Sequence, residues 1–321
     1  MNRVCQILGI EKPVIQGPMA WISTAPLVAA VSNAGGLGVL GVGFAPDAFL
    51  IEQVNATKAL TDKPFGINTV MIPENLDRLT KILLDIKPPV VYADTLCGLE
   101  ESLCKQYFPQ WKNAGCKIIV KASTIADAIA AENGGADLVI VKGWEGGGHT
   151  TLEATTVLVP QAKDVLHVPV IASGGIADGR GMAAAIALGA EGIEMGTIFM
   201  AAKETTVHPN VAKAIIEAED MSTVITGYST GEPCRQIKNA LSDEMEKIEA
   251  ENIKTVAAEK LRPVAEASLK NAMMKGDLEN GAVMAGQIVP LIKEQKPCAK
   301  IIDDILIEAK TRIKEIQKFE F

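Results

Sequence analysis

Several features that mark common protein classes are missing from this chain. Its 321 residues carry 31 basic and 39 acidic side chains, a net charge of −8, which argues against non-specific binding to nucleic acid. No apolar stretch reaches about 18 residues without a charge or a turn, so no membrane span is expected. The first residues, MNRVC, lack the long apolar region of a signal peptide. We therefore expect a cytoplasmic protein.

The chain also lacks the paired cysteine spacing that disulfide frameworks and zinc sites require. Dispersed cysteines fit a reducing compartment, and most of them are expected to be small buried side chains. No metal site is predicted. The six cysteines are Cys5, Cys97, Cys104, Cys116, Cys234 and Cys298.

Short apolar runs recur eight times in the first 200 residues, and they are continuous rather than alternating. Strands that are buried on both faces have this pattern. The predicted strands are Val14–Gly17, Gly38–Gly41, Phe65–Val70, Val90–Ala93, Lys117–Ala122, Leu138–Lys142, Val168–Ser173 and Gly192–Gly196. Helical patterns lie between them, over Thr24–Ala34, Pro46–Leu60, Pro73–Ile86, Leu99–Ala114, Thr124–Asn133 and Asp178–Leu188.

Strands that alternate with helices form a parallel sheet, and eight such units predict an α/β chain folded as a TIM (β/α)8 barrel. The alternative is an open doubly wound sheet. A GxGxxG turn after the first strand would favour that fold, and Gln16-Gly17-Pro18-Met19 is not such a turn.

Three regions are predicted. Residues 1–202 form the barrel, and residues 203–280, which are rich in helix formers and charged faces, form a helical lid domain over one of its ends. Residues 281–321 form a last pair of amphipathic helices that pack back on the barrel.

Glycines close the last two predicted strands, where TIM barrels bind phosphate. Gly174 and Gly175 allow backbone N–H groups to approach an anion, and the helix that follows adds the positive end of its dipole. Gly196 and Thr197 provide a second close approach and a hydroxyl group. The alternative is that these glycines only form tight turns.

His149 is the best candidate for a catalytic side chain, because it follows three glycines at the end of the sixth strand. Asn68 and Lys121 end the third and fifth strands and could place an amide and a cation near a heterocycle or a phosphate. Met19 could form a wall of an aromatic cofactor site. Each of these residues has an ordinary alternative as a loop, turn, strand-end or packing residue. His167 is expected at the opposite end of the barrel, and His208 is expected to position the chain that enters the helical segment.

Several motifs resemble the family of FMN-dependent nitronate monooxygenases and flavin-dependent enoyl-[acyl-carrier-protein] reductase II. The matching motifs are Pro13-Val14-Ile15-Gln16-Gly17-Pro18-Met19-Ala20-Trp21, Asn33-Ala34-Gly35-Gly36-Leu37-Gly38, Asp62–Asn68, Gly147-Gly148-His149, Pro169–Gly181, Leu188–Gly192, Met195-Gly196-Thr197 and His208-Pro209-Asn210. Two later motifs, Gln236-Ile237-Lys238-Asn239 and Val283–Ile288, look more like the enoyl reductase branch.

The resemblance implies a TIM barrel that binds FMN at the carboxyl ends of its strands. It implies FMN contacts from Met19, Asn68, Lys121, Gly147, Gly174, Gly175, Gly196 and Thr197, with His149 facing the substrate. It further implies NADH or NADPH as reductant and a substrate that is a small molecule or is bound to acyl-carrier protein. A homodimer is compatible with the sequence.

Two loops that are expected above the flavin ring depart from the family pattern, at Thr151 and at Asp94–Gly98. These departures concern the substrate rather than the flavin. Because the two later motifs look more like the enoyl reductase branch, the first choice is an enoyl-acyl-carrier-protein reductase of fatty-acid synthesis, and the rivals are a nitronate monooxygenase and a flavin NAD(P)H reductase with another acceptor. A more distant rival is a non-redox barrel enzyme for a phosphorylated metabolite, with Lys121 or Lys142 as its Schiff-base lysine.

Overall fold

Eight parallel strands form a closed barrel in a computed structural model that describes residues 2–96 and 98–320. Each barrel strand pairs with the barrel strand that follows it along the chain, and the first barrel strand closes the ring by pairing with the last. The short strand β7 (Gly148–His149) lies outside the barrel. The barrel strands are β1 (Val14–Gln16), β2 (Leu37–Leu40), β3 (Phe65–Val70), β4 (Val90–Asp94), β5 (Lys117–Ala122), β6 (Leu138–Lys142), β8 (Val170–Ser173) and β9 (Gly192–Met195). The predicted TIM barrel is confirmed.

The barrel strands are apolar on both faces because each face packs against a different part of the core. On β5, Ile119 belongs to the cluster that fills the barrel, whereas Ile118 and Val120 belong to the cluster between the strands and the outer helices. Helix α1 (Arg3–Leu8) adds Val4 and Leu8 to the inner cluster. It therefore packs against the apolar interior of the barrel.

The outer layer contains the six helices that the sequence predicted, each within two residues of its expected ends. They are α2 (Ala25–Asn33), α3 (Asp47–Leu60), α4 (Pro73–Ile86), α5 (Glu101–Asn113), α6 (Ile125–Gly134) and α8 (Gly179–Ala187). The sequence reasoning missed α7 (Thr155–Val165) and the short α9 (Thr197–Met200).

The segment that follows the barrel is not purely helical, as the sequence predicted it to be. It contains α10 (Pro209–Glu217), α11 (Ala240–Glu251), α12 (Lys254–Ala265) and α13 (Ser268–Lys275), together with the strands β10 (Thr223–Thr226) and β11 (Cys234–Ile237). These strands pair in antiparallel order with β7, so the sheet is β10-β11-β7. The segment is thereby joined to the loop that follows β6. The boundaries at residues 202 and 280 remain predictions.

The predicted pair of C-terminal helices is a single helix. Residues 281–297 contain only a 3-10 turn (Val289–Leu291), and α14 (Cys298–Ile316) then packs against α8 and α2. Ile301, Ile302 and Ile305 of α14 are buried. Through these residues α14 packs on the outer helices of the barrel.

None of the described helices is long and apolar enough to cross a membrane. Of the described cysteines, four are buried and Cys234 is partly buried, which agrees with the expectation that most are small core residues. Cys97 lies outside the described residues.

Candidate active site

A cavity of about 300 Å³ opens at the carboxyl ends of the barrel strands. The structure brings all nine predicted site residues to it: Met19, Asn68, Lys121, Gly147, His149, Gly174, Gly175, Gly196 and Thr197. Because they come from six different strand ends and loops, only closure of the barrel places them together. Their individual roles toward a flavin stay predictions.

The turn after β8 has the backbone conformation that glycine permits. Gly174 and Gly175 have φ angles of 92° and 73°, in the left-handed region that other residues avoid. The Thr155 hydroxyl oxygen lies 3.0 Å from the carbonyl oxygens of Ser173 and Gly174 and 3.0 Å from a carboxylate oxygen of Glu145, so it links this turn to the loop after β6. The turn is therefore fixed before any ligand arrives.

Carboxylates of the protein occupy the start of α8, the helix whose dipole was expected to help bind a phosphate. The Asp178 carboxylate accepts from the backbone N–H of Arg180 at 2.9 Å, and the Glu308 carboxylate accepts from Gly179 at 3.0 Å. Because carboxylates already bind the first N–H groups of this helix, its positive end is neutralised by the protein. An anion at Gly174 and Gly175 has to bind to the turn itself.

The turn after β9 joins the cavity to the C-terminal tail. Thr197 begins α9, and its hydroxyl oxygen accepts from the backbone N–H of Gly286 at 2.9 Å. A Cβ on Gly196 would contact only Met19, with its sulfur at 3.3 Å. This glycine therefore keeps the space beside Met19 open to a ligand.

Asn68 is oriented by the loop that follows β2. Its Oδ1 accepts from the backbone N–H groups of Val42 and Gly43, both at 2.7 Å. The amide nitrogen is therefore the atom that remains to donate into the cavity, where it suits an acceptor on a heterocycle.

Beneath the cavity lies a buried charge cluster that the sequence reasoning did not anticipate. Lys121 forms an ion pair with Asp94, and both side chains are nearly buried. Glu194 accepts hydrogen bonds from the Tyr92 hydroxyl and, at 2.7 Å, from the Ser173 hydroxyl. Burial raises the pKa of Glu194, although both hydrogen bonds act in the opposite direction. The sequence signal that could have revealed this cluster was a charged residue at the end of an apolar strand.

The loop that carries His149 is held from two sides. His149 pairs with Cys234 in the β7–β11 ladder. On the other side, the backbone N–H of Gln287 donates to the Glu145 carbonyl at 2.8 Å. At Gly147, a Cβ would lie only 2.6 Å from the carbonyl carbon of Ala285. The glycine-rich motif and the tail motif that the sequence singled out therefore pack directly against each other.

The environment of His149 favours a neutral imidazole. Burial lowers its pKa, and the ammonium groups of Lys121 and Lys142 lower it further, whereas Asp94 and Glu232 act in the opposite direction. A histidine whose pKa is below its ordinary value of about 6.5 is uncharged at pH 7. It then offers one N–H donor and one acceptor nitrogen to a substrate.

The other two histidines lie elsewhere, as predicted. His167 precedes β8 and has a side chain that is 95% exposed, so it cannot act in the cavity. His208 caps α10, since its Nδ1 accepts from the backbone N–H of Asn210 at 3.2 Å.

The two loops that depart from the family pattern differ in position. Asp94 and Leu96 line the cavity. The Thr151 hydroxyl instead donates to the carbonyl oxygen of Ser123 at 3.2 Å. Asp94 and Leu96 thus border the cavity, whereas Thr151 does not line it, and the position of both loops relative to a flavin ring stays a prediction.

The residues of the cavity fit the FMN that the family resemblance implies. An oriented amide donor at Asn68 and a cation at Lys121 suit the polar edge of a flavin ring. The fixed glycine turn at Gly174 and Gly175 suits a phosphate, and Gly196 leaves space beside Met19. A cavity of this size and polarity is typical of small-molecule sites.

Comparisons with known proteins agree with this architecture. A model of the nitronate monooxygenase family matches residues 2–98 and 79–308. A probable nitronate monooxygenase of Staphylococcus aureus (strain Newman) is 35% identical over 291 residues, which are 78% of this chain and 82% of that protein. FabK of Thermotoga maritima is 40% identical with a TM-score of 0.91, and the match covers 99% of this chain and 98% of that one.

A nitroalkane oxidase of Streptomyces ansochromogenes is also similar, with 25% identity and a TM-score of 0.82 over 98% of this chain and 99% of that one. The family model and the identity to curated relatives both extend over most of the sequence. This chain therefore belongs to the nitronate monooxygenase family and is an oxidoreductase.

Proposed function

We propose that this chain is an FMN-dependent reductase that uses NADH or NADPH to reduce enoyl thioesters carried on acyl-carrier protein, a step of fatty-acid synthesis. The observation that carries the proposal is the match to FabK, which has 40% identity and a TM-score of 0.91 over almost the full length of both chains. The match to the nitroalkane oxidase is weaker, with 25% identity and a TM-score of 0.82.

The structure supports a cofactor site in which side chains and turns bind different parts of FMN. Asn68 and Lys121 would bind the polar edge of the ring, Met19 and Gly147 would lie against it, and the turns at Gly174–Gly175 and Gly196–Thr197 would bind the phosphate. When bound, FMN supplies the two-electron chemistry by taking a hydride from the nicotinamide and passing it to the substrate.

The apolar entrance of the cavity favours an acyl substrate. Phe44, Leu96, Leu269 and Met284 line it, and Phe44 is 57% exposed. An exposed aromatic ring at the mouth of a cavity offers apolar surface that a fatty acyl chain can cover. A small nitronate would leave this surface in water.

His149 can serve the reduction in its neutral form. Its N–H group can donate to the thioester carbonyl oxygen, where negative charge develops as hydride reaches the β-carbon. This hydrogen bond would hold the substrate with its double bond over the site and stabilise the enolate-like transition state. The proton that the α-carbon needs can come from solvent or from the imidazole.

A nitronate monooxygenase is the second candidate, because the curated relatives that match over most of the chain carry that name. The neutral His149 supports this reaction as well. Its acceptor nitrogen could remove the α-proton of a nitroalkane. The histidine therefore does not separate the two functions, and the substrate has to be tested directly.

The test is anaerobic. The protein is loaded with FMN, reduced with NADH or NADPH, and mixed with crotonyl thioester or, separately, with oxygen, while flavin absorbance is recorded. In a parallel experiment the oxidised, FMN-loaded protein is mixed with an alkyl nitronate, which is an electron donor to the flavin. We expect crotonyl thioester to reoxidise the flavin and yield the butyryl product in equal amount. A flavin that is reduced by the nitronate and is not reoxidised by the thioester would exclude the reductase in favour of the second candidate, and reoxidation by oxygen alone would favour a flavin reductase with another acceptor.

A protein that does not bind FMN at all would exclude both candidates. It would leave the distant alternative of a non-redox barrel enzyme, for which Lys121 and Lys142 are the candidate Schiff-base lysines. In the structure the Lys121 ammonium group is already engaged by the Asp94 carboxylate.

A further inference from the structure

Lys142 ends β6 and reaches under the loop that carries His149. Its ammonium group donates to the carbonyl oxygen of Gly147 at 2.7 Å and to that of His149 at 2.9 Å. The side chain runs so close to the loop that a Cβ on Gly146 would lie 2.5 Å from Lys142 Cε. The side chain at the end of β6 thus contacts the loop at Gly146, Gly147 and His149.

The two carbonyl bonds act on the part of the loop that has no side chains of its own. Gly146, Gly147 and Gly148 are consecutive, and Gly148 has a φ of 72° with nothing within 4 Å of the position of a Cβ. The ends of the loop have other supports, since the Gly146 N–H donates to the Gly143 carbonyl at 3.1 Å and the Thr150 N–H donates to the Pro233 carbonyl at 3.0 Å. Lys142 provides its two hydrogen bonds with a charged donor, the stronger kind.

Charged groups of both signs surround Lys142 and affect its pKa in opposite directions. Lys121 on β5 is a like charge, whereas Asp94 on β4, Glu194 on β9 and Cys234 on β11 act in favour of the ammonium form. Glu145 and His149 lie on the same loop. Burial and the Lys121 ammonium group together lower the pKa of Lys142 to about 8. The charge is therefore present at neutral pH and is lost in the mildly alkaline range.

We infer that Lys142 is a positioning residue that ties the Gly147–His149 backbone to the end of β6. It lines the cavity, but its ammonium group is engaged by the two loop carbonyl groups. The inference rests on the proposed function only where turnover is measured. The position and ionisation of His149 can be followed without any reaction.

The main experiment compares wild type with Lys142→Met, which has a similar length but neither charge nor donors. Hydrogen exchange of the segment 143–150 should be about tenfold faster in the variant, because two charge-assisted hydrogen bonds are lost. The His149 ring, observed by NMR in a chain with only three histidines, should titrate at higher pH, because one neighbouring cation is gone. FMN affinity is measured alongside, because Lys142 also lines the cavity, and kcat should fall by at least about tenfold.

Two further variants sharpen the result. Lys142→Arg keeps the charge and the donors, so it should restore slow exchange and the low titration of His149. Lys117→Met, at the exposed opposite end of β5, removes one lysine away from the site and should change neither measurement. Wild-type exchange together with an unchanged His149 titration in Lys142→Met would overturn the inference.

The wild-type protein provides a test that does not depend on a variant that folds. Exchange of the segment 143–150, corrected with the β5 segment 117–122 as reference, should quicken as the pH rises through about 8, where Lys142 loses its proton. Constant corrected exchange from pH 7 to pH 9 would overturn the inference. Neither outcome depends on enoyl thioester reduction, so a failure of the proposed function is recognised separately.

Discussion

Gly147→Ala tests whether the catalytic loop is held against the tail. A Cβ at this position would lie 2.6 Å from Ala285 C, 2.7 Å from Ala285 Cα and 2.8 Å from Gly286 N. All three are backbone atoms, so no side-chain rotation can relieve the contact. An ordinary contact distance of 3.4 Å requires a shift of about 0.8 Å between loop and tail.

The expected effect is larger on turnover than on stability. Overpacking costs about 1–3 kcal/mol of unfolding free energy, and the stiffer unfolded chain of the alanine variant offsets about 0.4–1 kcal/mol of it. A displacement of almost 1 Å at a reacting group reduces kcat by up to about 100-fold. We therefore expect a modest loss of stability in urea and a kcat, measured at saturating FMN, that falls by about 10- to 100-fold.

Gly231→Ala is the matched control. Gly231 has a φ of 83° and nothing within 4 Å of the Cβ position, so alanine there costs about 1 kcal/mol through backbone strain alone. The control should lose stability and keep wild-type turnover. Wild-type kcat in Gly147→Ala would refute the packing of loop against tail as a requirement for activity.

Three further changes have separate expected outcomes. His149→Ala should leave FMN bound, as judged by flavin absorbance, and slow turnover by about 10²- to 10⁴-fold; wild-type turnover would assign the histidine to an ordinary loop role. Lys121→Met should destabilise the protein to urea by about 3–5 kcal/mol, because it leaves Asp94 buried without its cation, and adding Asp94→Asn should recover much of the loss. An equally unstable double variant would contradict the ion-pair explanation. Thr197→Val removes the acceptor for the Gly286 N–H and should lower the free energy of unfolding by about 1–3 kcal/mol in the same urea assay. An unchanged midpoint of urea unfolding would show that this hydrogen bond is dispensable.

The barrel could be predicted because its signals are local. Each strand is a continuous apolar run, since one face packs inside the barrel and the other packs against helices. Helix α7 was missed because its cap is not local. The carboxylate of Glu145, ten residues upstream, accepts from the Thr155 backbone N–H at 3.0 Å, and no side chain at the N-cap position does so.

The short sheet outside the barrel could not be predicted from its strands alone. Thr223–Thr226 and Cys234–Ile237 lie among strong helix formers, and β11 pairs with two residues that are more than 80 positions upstream. Such pairing depends on the tertiary structure rather than on β propensity.

Some residues of the candidate site could likewise be predicted from the sequence, and others could not. The glycine turns and His149 could be identified from motifs, and the structure places them in one cavity. Glu194 and Tyr92 could not be identified, because their proximity depends on the barrel bringing β4 and β9 face to face across its interior. Lys142 was visible as a strand-end lysine, but its contacts with the Gly147 and His149 carbonyl groups require the folded loop.

The most direct test of the central claim is the anaerobic reoxidation of the NADH- or NADPH-reduced, FMN-loaded protein by crotonyl thioester. The account predicts that flavin absorbance returns in step with formation of butyryl thioester. A flavin that stays reduced with the enoyl thioester and is reoxidised only when oxygen is admitted would contradict it.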